Sequence, residues 1–110
     1  MVFGEYLRQL RECRSLRQVD IAKSLGVSSV YVCDIEKGRR NPPSADKLDV
    51  LVKTLALSDE ESALLLDLAG SARGIVAPDI IEYLSSNPNA ISAIRRVICQ
   101  HPDYDWNIIP

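Results

Sequence analysis

Few residues of this chain have the types and the spacing that catalysis or metal binding requires. The three cysteines (Cys13, Cys33 and Cys99) are widely spaced, and Cys99 with His101 would supply half of a metal site at most. Glycine-rich phosphate loops are absent, and His101 follows the last predicted helix, where no serine completes a catalytic triad. We therefore expect no catalytic residues, no metal and no cofactor, and a protein that is not an enzyme.

The most specific arrangement in the chain lies within residues 18–37. A short apolar-patterned helix ends at Gly26, a Gly-Val-Ser bend follows, and a second short helix begins after Ser28. Ala22 is small enough to let two helices approach closely. Arg39, Arg40 and Asn41 then form a basic loop, which Pro42-Pro43 prevents from being helical. This spacing is typical of a helix-turn-helix whose second helix is free to enter a DNA major groove.

Helical periodicity extends along the rest of the chain. Phe3, Leu7 and Leu10 predict a first helix, and Ser15 with Gln18 matches a capping box that would begin the second. Further helices are predicted after the caps Ser44, Ser58, and Asn87-Pro88, with a short one at Pro78. We expect Gly70 and Gly74 to mark the fraying end of the fifth helix. The last predicted helix carries a stripe of Ile91, Ile94, Val97 and Ile98, and an apolar tail over residues 103–110 follows it.

Charge is distributed unevenly between the two halves of the chain. Residues 1–57 carry ten basic and seven acidic side chains, whereas residues 58–110 carry three basic and eight acidic ones. A basic front suits a polyanion, and an acidic back suits solvent or a protein partner. The longest apolar run is four residues and the N-terminus does not resemble a secretory signal, so we expect no membrane segment. The odd cysteine count is typical of free thiols in a reducing compartment, and we expect a cytoplasmic protein.

The run LRQVDIAKSLGVSSVYVCDIEKGRRNP (residues 16–42) resembles the Xre-type, phage-repressor-like helix-turn-helix family. That family has the approximate pattern T-Q-x-x-L-A-x-x-L-G-V-S-x-x-x-I-S-x-I-E-x-G-x-R-x-P, and the resemblance covers about residues 3–68. Arg17 replaces the commonest Thr, so we expect Ser15 to cap the second helix. Cys33 replaces a common Ser.

The resemblance implies an all-α fold: a five-helix, lambda-repressor-like helix-turn-helix domain over residues 1–73, with a helical extension over residues 74–110. It also implies that Gln18 binds a phosphate and braces the recognition helix. Base edges would face Ser29, Val30 and Asp34, with Ser28 beside them, Tyr31 near the DNA backbone and Cys33 on the rim. The loop after the helix would approach phosphates through Lys37, Arg39, Arg40 and Asn41.

Several of these residues also have a purely structural interpretation. Ser28 and Ser29 would serve as a cap and its neighbour, and Asp34 would face solvent or pair with Arg39 or Arg40. Tyr31 would either lie at the edge of the core or contact a phosphate, and the sequence favours neither interpretation. We expect Glu36 to bond within the fold, and Arg8 and Arg11 to lie on a solvated face.

The sequence therefore predicts a sequence-specific DNA-binding transcriptional regulator, a repressor or autoregulator that binds an operator in double-stranded DNA as a homodimer. Residues 75–110 would form the dimer contact, since their apolar stripe and Trp106 exceed what a five-helix core needs. The other interpretation is that this segment packs back on its own domain. An alternative is an antitoxin or adaptor that binds a protein partner through this segment and autoregulates through DNA. A helix-turn-helix used only for protein contact is a third hypothesis.

Overall fold

The computed structural model describes residues 1–103 and 105–106, and throughout this part the regular structure is helical. The helices are α1 (Phe3–Cys13), α2 (Gln18–Leu25), α3 (Ser29–Glu36), α4 (Ala45–Thr54), α5 (Asp59–Ala72), α6 (Pro78–Ser86) and α7 (Pro88–Gln100). No helix in these ranges has both the length and the apolar composition that crossing a bilayer requires. The chain divides into two compact units, Met1–Pro78 and Asp79–Pro110.

The first unit encloses a core to which each of α1–α5 contributes. The apolar residues predicted from helical spacing face this core, as with Phe3, Leu7 and Leu10 of α1. Leu48, Leu51, Leu55 and Leu65 of the later helices and their C-terminal caps are almost completely buried. The prediction of an all-α, five-helix domain is confirmed by this arrangement.

Local sequence chemistry places most of the helix ends where it predicts them. Gly26 follows α2 with φ +70°, a left-handed conformation that favours glycine. Ser58 and Glu61 form the predicted capping box: the Glu61 N–H donates to the Ser58 hydroxyl, and the Ser58 N–H donates to the Glu61 carboxylate. The left-handed conformation of Gly26 thus ends α2, and the Ser58–Glu61 capping box begins α5.

The predicted cap at Ser15 is wrong. Ser15 lies in the preceding turn with φ +56°, and α2 begins one residue after Arg17. There the Asp20 carboxylate accepts a 2.9 Å hydrogen bond from the Arg17 N–H. Asp20, the third residue of α2, thus accepts the hydrogen bond of a backbone N–H at the helix start, and no hydroxyl residue is needed at the N-cap.

Two glycines permit close contacts of a helix with neighbouring backbone. A Cβ on Gly4 would lie 2.6 Å from the Glu36 carbonyl oxygen and would also overlap the Ile35 carbonyl, so α1 lies directly against the end of α3. Gly70 was predicted at a fraying end, but it is buried within α5, where a Cβ would lie 2.7 Å from the backbone nitrogen of Ala77. The helix therefore continues through Gly70 because residues 75–77 pack on it, and only Gly74 follows its end.

The second unit contains most of α6, then α7, and none of its described residues is buried. Of the predicted stripe on α7, Ile91 and Val97 are half-buried, whereas Ile94 and Ile98 are exposed. Ile80, Ile81 and Tyr83 of α6 are exposed as well. Tyr104 and residues 107–110 of the predicted apolar tail lie outside the described residues. The amphipathic pattern in this unit thus correctly predicts helices, but their described residues do not enclose a buried core.

Candidate nucleic-acid interface

The helix-turn-helix is held rigid by buried side chains on both sides of its bend. Ile21, Ala22 and Leu25 of α2 are buried, as are Val32 and Ile35 of α3. The Val27 N–H donates to the Ala22 carbonyl at 3.0 Å and closes the turn. The inner face of α3 is therefore fixed against the core, which leaves its other face available for a ligand.

The N-terminal turn of α3 faces outward. Ser28, Ser29 and Val30 are exposed, and Val30 leaves 67% of its surface accessible. The Ser28 hydroxyl oxygen accepts a 3.2 Å hydrogen bond from the Tyr31 N–H, as predicted for a cap. A hydroxyl has a donor as well as acceptor sites, so Ser28 keeps an O–H that a phosphate can accept.

A buried carboxylate at the other end of α3 joins three helices. Glu36 accepts hydrogen bonds from Arg11 Nε at 2.8 Å and Nη2 at 2.9 Å, and from Gln18 Nε2 at 3.1 Å. Arg11 Nη1 also donates to the Leu16 carbonyl at 3.0 Å. This bidentate pair raises the pKa of Arg11 above its usual value, chiefly through the hydrogen bonds to Glu36. The network fixes the side-chain amide of Gln18 at the start of α2.

The expectation that Glu36 bonds within the fold is therefore confirmed, whereas the expectation that Arg11 is solvated is wrong. The Arg11 side chain is only 12% exposed. Arg11 lies four residues after Leu7, on the same helix face, and this spacing was the signal available in the sequence. Arg8 does lie on the exposed side, where its Nε donates to the Glu12 carboxylate at 2.8 Å.

A polar cleft of about 320 Å³ lies between α1, the start of α2 and the end of α3. It is lined by Arg8, Arg11, Gln18, Cys33, Glu36 and Lys37. Its basic side chains and the adjacent N-terminus of α2 are groups that favour anions. Cys33 is half-buried in this cleft, and all three cysteines are free thiols.

The loop after α3 places its basic side chains beside the outer face of that helix. Lys37, Arg39, Arg40 and Asn41 are all exposed. Arg39 Nη1 lies 3.8 Å from one oxygen of Asp34, and Arg40 Nε lies 4.0 Å from the other. The Arg40 guanidinium carbon also lies 5.1 Å from the centre of the Tyr31 ring. Asp34 and Tyr31 are half-buried under these arginines, so the loop and the helix form one continuous surface.

The far end of the loop is anchored in the first unit. Pro42 and Pro43 are buried, and the Pro42 carbonyl accepts a hydrogen bond from Arg73 Nη2. The loop thus projects its cations from a fixed base. The ten residues predicted for DNA contact lie at the N-terminus of α2, on α3 and in the loop that follows it: Gln18, Ser28, Ser29, Val30, Tyr31, Asp34, Lys37, Arg39, Arg40 and Asn41.

Comparison with known proteins shows a helix-turn-helix domain within the first unit. The family described as "Helix-turn-helix domain" matches residues 2–65, which include all of α1–α4. The HTH-type transcriptional regulator DdrOP3 of Deinococcus deserti is 32% identical to this chain over 88 residues, which are 80% of this chain and 67% of the relative. The chain therefore belongs to the Xre-like helix-turn-helix family of DNA-binding proteins.

Proposed function

We propose that this protein is a transcriptional regulator that binds a specific operator in double-stranded DNA as a homodimer. The observation that carries this proposal is the exposed turn Ser28–Val30 on a helix whose inner face and C-terminal end are fixed. A rigid helix with an exposed N-terminal turn fits the geometry by which such helices enter the major groove. The relative's name, a transcriptional regulator, supports the same function.

The proposed interface divides into residues that position the protein and residues that select the sequence. Gln18, Lys37, Arg39, Arg40 and Asn41 would bind phosphates, with the hydroxyls of Ser28 and Tyr31 beside them. The three cationic side chains of this set would supply salt-dependent affinity on any duplex. Ser29 would bond a base edge, Val30 would contact a thymine methyl, and Asp34 would accept from cytosine N4. This set lacks a bidentate Arg, Asn or Gln in the first turn, so we expect DNA shape and dimer spacing to add specificity.

The phosphate contacts are tested by the double variant Arg39→Ala/Arg40→Ala. We expect weaker binding to every duplex, and a slope of log K against log salt that is shallower by about two, because two phosphate contacts are lost. Lys53→Ala, which removes an exposed cation from the last turn of α4, is the control. A double variant that keeps the wild-type slope would contradict the assignment of this loop.

The second unit is the proposed dimer contact. One recognition helix reads only about four or five base pairs, so two half-sites about 34 Å apart multiply the specificity. The exposed apolar side chains of α6 and α7 would be covered by the same residues of a second copy, since a two-fold contact pairs identical surfaces. We assign operator binding to the predicted domain over residues 1–73, and association to the part of residues 74–110 that lies in the second unit.

Sedimentation of the full chain and of Ile94→Glu/Ile98→Glu tests the contact. We expect the wild type to sediment as a dimer and the variant as a monomer of half that mass. Charged side chains at these positions cannot be buried against a second copy of the chain. Ser92→Glu, at an exposed polar position on α7, is the matched control. If the wild-type chain is monomeric and copurifies with a small basic protein, the antitoxin or adaptor function replaces the homodimer. Catalysis has no place in either proposal.

A further inference from the structure

The proposed DNA-binding surface contains the carboxylate of Asp34, although the DNA phosphates that would approach it are also negatively charged. Asp34 lies on α3 with its side chain 26% exposed, and its two oxygens are directed to Arg39 and Arg40. The Arg39 backbone N–H also donates to the Asp34 carbonyl at 2.8 Å. This short backbone bond holds the start of the loop against α3, so the Arg39 side chain begins close to the Asp34 carboxylate.

Arg40 is held at two points on the same helix. Its Nε lies 4.0 Å from Asp34, and its guanidinium lies over the ring of Tyr31. The cation–π contact and the ion pair both favour this orientation of the Arg40 side chain. An approaching phosphate therefore meets two guanidinium groups that already share a negative counter-ion.

We propose that Asp34 is a specificity-determining residue that acts through these two arginines. It serves as their counter-ion, so that binding to the phosphates of non-operator DNA is weakened more than binding to the operator. The proposal rests on the proposed DNA-binding function and adds to it a means of rejecting wrong sequences.

The selectivity follows from what the carboxylate meets on each kind of duplex. On non-operator DNA, a phosphate that takes Arg39 or Arg40 removes the counter-ion of Asp34 and brings negative charge close to it. At an operator with cytosine opposite Asp34, the N4 amino group donates to the carboxylate and compensates the loss. A penalty applied only to wrong partners is a general source of specificity. Because exposed ion pairs near 4 Å are weak, we expect effects of several-fold.

The test compares Asp34→Asn with the wild type on the selected operator and on a scrambled duplex of the same length. We expect the variant to bind the scrambled duplex about three- to tenfold more tightly at low salt. Its salt slope on that duplex should be steeper by about one, because the arginines then engage phosphates without competition. The ratio of operator to scrambled affinity should fall, and selection from random duplexes with the variant should lose a preference for cytosine.

Asp67→Asn is the control, since it removes the same charge from an exposed position on α5. If both variants change the slope and the ratio equally, net charge explains the effect and the proposal is overturned. Repeating Asp34→Asn in the Arg39→Ala/Arg40→Ala background separates the two possible routes. We expect the change in slope to disappear there, and an undiminished change would show that Asp34 repels DNA directly and would also overturn the proposal.

These outcomes separate this inference from the function on which it rests. A folded wild-type chain that binds no duplex in a salt-dependent manner would contradict the proposed function and this inference together. A wild-type chain that prefers its operator, beside an Asp34→Asn variant that behaves as Asp67→Asn does, would overturn only the role of Asp34. Thermal unfolding of each variant checks that the comparison is made between folded proteins.

Discussion

The two compact units use similar helical patterns to different ends. Residues 1–78 contain every buried apolar residue in the described part of the chain, whereas α7 and all but the first residue of α6 lie in a unit that buries none. Core burial contributes about 25 cal/mol for each Å² of apolar surface, so the first unit has its own source of stability. The second unit leaves apolar side chains such as Ile94 and Ile98 exposed.

A comparison of α1 with α7 shows what such patterns mean. Phe3, Leu7 and Leu10 recur on one face of α1 and are at most 4% exposed. Ile94 and Ile98 recur on one face of α7 and are 41% and 58% exposed. Periodicity thus predicts that a helix forms with an apolar face, while the location of the covering surface depends on the rest of the fold.

Truncation of a core residue gives the largest expected effect. Leu51→Ala should lower the free energy of unfolding by about 2–5 kcal/mol, because Leu51 is fully buried and its loss leaves a cavity. The loss should be the same at every protein concentration, since the contacts lie within one unit. Urea unfolding followed by circular dichroism measures it.

Ile98→Ala is the counterpart in the second unit. At dilutions where the chain is monomeric, this change should alter the free energy of unfolding by less than about 0.5 kcal/mol. At higher concentration its effect should grow, because association adds stability by mass action. A large effect that is independent of concentration would remove the contrast between the units.

Loss of the buried ion pair gives an effect that is smaller than that of Leu51→Ala and is confined to the first unit. Glu36→Gln should lower the free energy of unfolding by about 2–3 kcal/mol, at or below the usual range for a broken buried pair. The loss is limited because Arg11 keeps the Leu16 carbonyl and lies 3.9 Å from Glu12. The variant should also bind DNA more weakly, since its amide keeps only one acceptor oxygen for the donors of Arg11 and Gln18 and so holds Gln18 less firmly.

The sedimentation coefficient of Glu36→Gln should equal that of the wild type. If the variant loses DNA binding and also changes its association state, then the two units are energetically coupled. That outcome would contradict the separation between recognition in one unit and association in the other.

The smallest expected effect is a dependence on acid pH. The pKa of Glu61 lies below its usual 4.5, first because of the hydrogen bond from the Ser58 N–H and then because of Arg14. The folded state therefore binds this proton less readily than the unfolded state does. The resulting stability is complete above about pH 4.5 and is lost as the pH falls through the lowered pKa.

Glu61→Gln tests this dependence through the melting temperature between pH 7 and pH 3. The variant should melt below the wild type at neutral pH, and the difference should narrow as the pH falls. Glu60→Gln, in the same helical turn, is the control for charge. A constant difference across the range would contradict the role assigned to the capping box.

Most of the recognition unit could be predicted because its determinants are local. Gly26 needs a left-handed conformation, Ser28 caps the helix that follows, and Ser58 with Glu61 begins α5. The wrong predictions concern a long-range contact and a competing local acceptor. Glu36, the partner of Arg11, lies 25 residues further along the chain, and the Asp20 carboxylate inside α2 takes the capping role expected of Ser15.

Seven amphipathic or capped helices and the bend at Gly26 follow from the sequence alone, because periodicity and turn chemistry act over a few residues. Long-range packing was needed for Glu36 to join α1, α2 and α3. It also explains why the stripe on α7 is left partly exposed although its pattern matches that of a buried face. Burial and ion pairing depend on which distant surfaces meet, and that information is spread over the whole chain.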